Sequence, residues 1–148
     1  MIILDVDILL YAYDPNSEKH QDARAWIEQV FSERTLVGIP WQTAHAFLRI
    51  ATNPKLTVRR VTTEEAARIV DGWVAQPNVR FLAPGDEHWD HLRRMIIDGQ
   101  AWGPLVSDAQ LAALTFEHGG ELCTTDRDFA RFPGLRWRNP LEEMHQKE

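Results

Sequence analysis

Cysteine is nearly absent from this 148-residue chain: Cys123 stands alone. One copy can therefore build neither an internal disulfide nor a thiolate zinc site, and Cys123 is expected as a small buried hydrophobe. Lysine is almost as scarce, with only Lys19, Lys55 and Lys147, so the basic residues are otherwise arginines. No apolar run approaches the roughly 20 residues that cross a bilayer, and Met1-Ile2-Ile3-Leu4 meets Asp5 before a signal-peptide core can form. A cytoplasmic protein with no membrane association is expected. Also missing are a glycine-rich phosphate loop, a dinucleotide fingerprint and a G-x-S-x-G elbow, which leaves nucleoside-triphosphate and serine-hydrolase chemistry without a motif. There is no internal repeat, low-complexity tract or Ser/Gly linker. A single domain over 1–148 is expected, with a flexible tail from about residue 142.

What is present is an ordinary globular composition, 44% hydrophobic and 26% charged, which excludes disordered, collagen-like and coiled-coil chains. The 16 basic and 22 acidic residues give a formal net charge of −6, repelling a polyanion at long range. The arginines nevertheless cluster at Arg59-Arg60, Arg93-Arg94, Arg127, Arg131, Arg136 and Arg138, and arginine grips phosphate through a planar fork. Solvated helix faces and a basic rim around an acidic centre both fit that distribution.

Ile2 to Val6 is apolar without alternation, as in a strand buried on both faces of a parallel sheet. Helical spacing of Ala23, Trp26, Ile27 and Val30 predicts a helix over 18–31. A strand over 35–39, a helix over 41–51 ended by Asn53-Pro54, and a helix opened by the Thr62/Glu65 capping box follow. Then come a strand over 79–82, a helix over 88–97, a loop over 99–104 carrying Trp102, and a helix capped by Ser107 that runs to Gly119-Gly120. Short strands at 122–124 and 135–137 complete the reading. The six tryptophans are expected mostly in the core, with Trp102 as a candidate for base stacking or partner contact. Alternation of strands and helices implies an α/β fold with a central, mostly parallel sheet flanked by helices. Ligands then collect at the carboxyl ends of the strands, where Asp5 and Asp126 should face one edge.

Asp5 lies among apolar neighbours, where an uncompensated carboxylate is costly; a helix cap, a metal ligand and a nucleophile are all compatible. Asp108 opens a helix, a place any acid favours. In Thr124-Thr125-Asp126-Arg127-Asp128-Phe129, two carboxylates flank an arginine at a strand-to-helix turn, which also suits an N-cap with a surface ion pair. Brought to one sheet edge, these acids repel one another, and a hard divalent cation, Mg²⁺ or Mn²⁺, is the usual compensation. His88 and His91 are read as an exposed pair, and His45 and His118 as packing or hydrogen-bonding residues.

The stretches Leu4-Asp5-Val6-Asp7-Ile8-Leu9-Leu10-Tyr11-Ala12, Ser107-Asp108-Ala109-Gln110-Leu111-Ala112-Ala113 and 124–135, together with 47–54, carry a resemblance that spans nearly the whole chain. Through them it resembles the PIN-domain family, and within that the VapC ribonuclease toxins of type II toxin–antitoxin pairs. The resemblance implies that Asp5, Asp108 and Asp126 are the catalytic, Mg²⁺-holding acids, with Asp128 and Asp7 as supporting acids and Arg127 and Arg131 against substrate phosphates. It further implies metal-assisted cleavage of RNA, a VapB-like antitoxin, a homodimer, and promoter DNA bound only through the antitoxin. Two positions depart from the family pattern. Ala46, beside His45, stands where a glutamate is often found, and Asp7 stands where Asn, Ser or Thr is common. Asp7 either replaces a lost ligand or weakens catalysis. The competing readings are a PIN-like binding module without catalysis and a haloacid-dehalogenase-like phosphatase, the latter suggested by Asp5-Val6-Asp7.

Overall fold

The computed structural model describes residues 1–56 and 61–146, so Arg59, Arg60 and Lys147 lie outside the described residues. Five strands form one sheet: β1 (Ile2–Leu4), β2 (Val37–Pro40), β3 (Val79–Leu82), β4 (Glu121–Cys123) and β5 (Trp137–Arg138). Their spatial order is β3-β2-β1-β4-β5, and every pairing is parallel. The helices are α1 (Val6–Tyr13), α2 (His20–Ser32), α3 (Trp41–Ala51), α4 (Thr63–Val74), α5 (His88–Asp98), α6 (Leu105–Glu117) and α7 (Pro140–Gln146), with a 3₁₀ turn at Arg127–Arg131.

The pleat of β1 divides the core. Ile2 and Leu4 face the α1, α2 and α3 side, where Trp26, Phe47 and Trp73 are buried, while Ile3 faces Leu122, Met95, Phe129 and Phe132 on the α5 and α6 side. A strand with helices on both faces has no polar side, which is why β1 and β2 read as unbroken apolar runs. Cys123 is buried with the first cluster, and burial pushes its thiol up to about 12, so it stays protonated.

Several boundaries differ from the sequence reading. The apolar run stops being strand at Leu4, because the Asp5 side chain accepts from the Val6 amide and starts α1 there. Ser107 does not cap α6: the helix begins two residues earlier. Gly103 takes a left-handed φ of 53°, and the carbonyls of Trp102, Gly103 and Pro104 receive the amides three residues on, winding the loop straight into the first turn. The Thr62 hydroxyl does accept from the Glu65 amide, at 3.1 Å. The chain from residue 142, expected as a flexible tail, continues α7 through Gln146, with Leu141 buried.

Gly99, which ends α5, has no room for a side chain. A Cβ there would lie 2.5 Å from the Phe132 ring and 2.8 Å from the Met95 carbonyl. Gly99→Ala is expected to destabilise the fold by about 1–3 kcal/mol, read as a lower urea midpoint with an unchanged slope.

Candidate active site

The strand order fixes where a site can form. The chain runs from β1 through β2 to β3 in one direction, then returns to place β4 on the other side of β1. Connections leaving β1 and β4 therefore diverge, and the crevice beyond their carboxyl ends is the place where open parallel sheets bind ligands. Asp5 follows β1 directly, and Thr124, Thr125 and Asp126 follow β4. The ladder continues into this turn, with the Asp5 amide donating to the Cys123 carbonyl at 3.1 Å.

Hydrogen bonds set the orientation of these acids. Asp5 accepts from the Val6 amide at 2.7 Å through one oxygen and from the Thr124 hydroxyl at 2.7 Å through the other. The Thr124 hydroxyl in turn accepts from the Asp126 amide at 3.0 Å. Asp126 caps the 3₁₀ turn by accepting from the Asp128 amide at 2.9 Å. Asp7 is held differently. One of its oxygens takes the Ile8 amide at 2.7 Å, and the other takes the Thr125 amide at 2.9 Å and the Thr125 hydroxyl. Its acceptor positions are largely consumed in tying α1 to the β4 turn. Asp7→Ala is expected to cost about 1–3 kcal/mol, the penalty for stranding partly buried donors, measurable by chemical denaturation.

Electrostatics link the acids across the crevice. Burial, then the charge of Asp7 and more weakly that of Asp108, push Asp5 up to about 7, against the opposing pull of its Thr124 and Val6 bonds. Burial, then the charges of Asp126 and Asp128, push Asp108 up to about 6, with Arg131 pulling the other way. Through these pairwise influences Asp5, Asp7, Asp108, Asp126 and Asp128 are electrostatically linked.

The two arginines separate. Arg127 is fully exposed and donates to Glu142 on α7 at 2.9 Å, so its engagement is a surface ion pair. Arg131 acts on Asp108, donates to the Gly99 carbonyl at 3.3 Å, and keeps a buried Nε with no partner among the described residues.

Helix α3, which also carries Ala46, contributes two positioning contacts. Gln42 donates to the Ser107 carbonyl at 2.9 Å, and the buried Thr43 hydroxyl donates to the Leu4 carbonyl at 2.9 Å. Ser107 and Leu4 directly precede Asp108 and Asp5, so consecutive side chains of α3 tie down the backbone beside both acids. Sequence reading missed these two and the roles of Thr124 and Thr125. The Thr-Thr-Asp run just after a strand was the available signal, since hydroxyls there bond local backbone and carboxylates.

Other expectations are corrected. His88 is not exposed: its Nδ1 lies 2.7 Å from Glu117, with side chains 15% and 8% exposed. Glu117 also accepts from the Gly85 amide, so this pair fastens the β3–α5 loop to the end of α6. His118 bonds the Ala83 carbonyl, in keeping with its expected role. Only Trp26 and Trp73 are core tryptophans; Trp137 is half-buried, and Trp41, Trp89 and Trp102 are exposed.

Among the described residues, no three His, Cys, Asp or Glu side chains are grouped so that they alone could hold a metal ion. Mg²⁺ does not require such a cage. It keeps several waters and is bound by one or two carboxylates together with substrate phosphates. An all-oxygen donor set with mutual repulsion lifting Asp5 and Asp108 fits that mode. Among the described residues, no helix is long and apolar enough to cross a membrane.

Comparison with known proteins agrees with this architecture. The PIN domain family matches residues 2–135. Ribonuclease VapC37 of Mycobacterium tuberculosis is 38% identical over 140 residues, covering 95% of this chain and 97% of its own. Ribonuclease VapC33 of the same species is 36% identical over 143 residues, covering 97% and 100%. The solved structure of VapBC2 from Rickettsia felis, bound to a DNA fragment from their promoter, shares the fold with a TM-score of 0.67. Its identity is 15%, over 94% of this chain and 98% of that one. The match over residues 2–135 sets aside the haloacid-dehalogenase-like reading.

Proposed function

This chain belongs to the PIN-domain family, and on that premise we propose that it is an endoribonuclease toxin that hydrolyses RNA phosphodiester bonds with Mg²⁺ or Mn²⁺. What supports this reading is the electrostatic influence of Asp108 on Asp5 and of Asp126 on Asp108, which together with burial holds Asp5 and Asp108 protonated up to about 7 and 6. Carboxylates repelling one another in this way gain from a bound cation, which removes the charge that burial penalises.

When bound, the cation supplies an activated water and neutralises charge on the phosphoryl group. The chain's own residues do the rest. Asp5 and Asp126 present fixed oxygens, because Thr124 links the two and the Val6 and Asp128 amides lock their rotamers. Asp108 brings the third carboxylate from the first turn of α6. Asp128 adds negative charge beside Asp108, while Asp7 supports the site from below as a latch. Arg131, whose charge already acts on Asp108, is the cation assigned to a substrate phosphate. Arg127 reaches such a phosphate only by leaving Glu142.

The protein acts in the cytoplasm, is neutralised by a VapB-like antitoxin and pairs as a homodimer; the similarity in fold to VapBC2 supports the antitoxin. With a net charge of −6, promoter DNA is contacted through the antitoxin. The test is incubation of purified protein with mixed structured and single-stranded RNAs, with Mg²⁺, with Mn²⁺ and with chelator. Cleavage that needs metal supports the assignment. A folded protein that binds antitoxin yet cuts nothing under any metal would instead be a non-catalytic PIN-like module, the reading that Ala46 and the latched Asp7 favour.

A further inference from the structure

Three indoles are exposed, and they differ in what holds them. Trp89 and Trp102, 62% and 73% exposed, have no ring partner among the described residues. Trp41 does. Its ring stacks on Phe81 of β3 with centroids 4.5 Å apart and planes 27° from parallel, and His45, one helical turn on, lies 6.2 Å away. Phe81 is half-buried against the core, so the sheet sets the orientation of the indole from beneath. Trp41 remains 44% exposed. A rigid aromatic surface of this kind binds a flat π-system at little entropic cost, because few torsions remain to be frozen.

Its place in the fold gives that surface a use. Trp41 is the first residue of α3, at the carboxyl end of β2. The next two residues, Gln42 and Thr43, are those bonded to the carbonyls preceding Asp108 and Asp5. The platform is therefore built on the same helical turn that braces both acids. Trp41 and Asp5 follow the carboxyl ends of the adjacent parallel strands β2 and β1, so a chain lying along that edge of the sheet would pass both.

We propose that Trp41, backed by Phe81, is a stacking platform for an unpaired nucleobase of the RNA, and hence a substrate-positioning residue that favours single-stranded over duplex substrate. This rests on the ribonuclease reading above. Bases in a duplex are already stacked and are withheld from such a ring, whereas every unpaired base offers a π-face whatever its identity. The residue selects strandedness more than sequence.

The test uses labelled oligoribonucleotides, single-stranded and fully paired. Cleavage is measured with otherwise native protein, and binding in an Asp108→Asn background. Trp41→Ala is expected to raise KM and weaken single-strand binding by about 10-fold, leaving kcat within about two-fold and duplex binding unchanged. Trp41→Phe should recover most of the loss, and Trp89→Ala, at the far end of α5 from Gly99, should show none. Circular dichroism and solution mass are followed for each variant. Native-like cleavage and binding by folded Trp41→Ala would overturn the platform while leaving the ribonuclease intact. A changed solution mass with unchanged RNA binding would overturn it in favour of a contact between copies. If the native protein neither cuts nor binds RNA, both readings fall; if it binds without cutting and loses binding with Trp41→Ala, the platform stands alone.

Discussion

Asp108→Asn and Asp5→Asn are each expected to slow RNA cleavage at least ~100-fold while leaving the fold intact, since on the proposed assignment each supplies one charged ligand of a preorganised electrostatic site. The loss should appear in kcat, with RNA binding retained, because the amide keeps the shape of the carboxylate but not its charge. Asp108 is the cleaner of the two tests. Asp5 also accepts from Val6 and Thr124, so part of its effect passes through the backbone, whereas the shift of Asp108 comes from burial and neighbouring charge alone. Equal cleavage by native protein and Asp108→Asn, measured on the same RNA pool, would remove the acidic cluster from the chemistry.

The second large effect is a response of stability to divalent cation that depends on pH. Asp5 holds its proton to about 7 in the folded state against 3.8 ordinarily, and Asp108 to about 6. Because the folded state binds these protons more tightly, their contribution is fully present below about pH 4 and is lost as pH climbs through about 6 and 7. At 1.36 kcal/mol per tenfold change in proton affinity, Asp5 accounts for up to about 4 kcal/mol, and Asp108, more open to solvent, for less. A bound cation replaces what the proton supplied. Millimolar Mg²⁺ is expected to raise the thermal midpoint by several degrees at about pH 8, at roughly 2–4 °C per kcal/mol, and hardly at all at about pH 5. Asp5→Asn should flatten both the pH slope and the metal response. Equal metal-induced shifts at the two pH values would place the cation elsewhere.

How much of this was legible in the sequence follows from where each interaction is encoded. Asp5 and Asp126 could be assigned to one edge because each follows a short apolar strand, and parallel strands deliver their carboxyl ends to the same side. Helix α1 was not legible: eight residues, Val-Asp-Ile-Leu-Leu-Tyr-Ala-Tyr, carry almost no polar face, so nothing in their periodicity separates a buried helix from more strand. The braces from α3 were beyond reach for another reason. Gln42 and Ser107 are 65 residues apart, and no local pattern records that contact. Trp41 and Trp89 defeated a composition argument, since large aromatics are buried on average but not individually.

The central position of β1 bears on the life of the newly made chain. Asp5 is bonded to Thr124, 119 residues downstream, and β1 acquires its β4 neighbour only after α6 has been made. Synthesis proceeds at about 5–20 residues per second, so the amino-terminal acid waits many seconds for its partner to emerge. Until then the nascent polypeptide has half a crevice, with Asp5 still lacking the Thr124 hydroxyl that fixes it. The crevice is thus completed late, by a strand made after β1, β2 and β3.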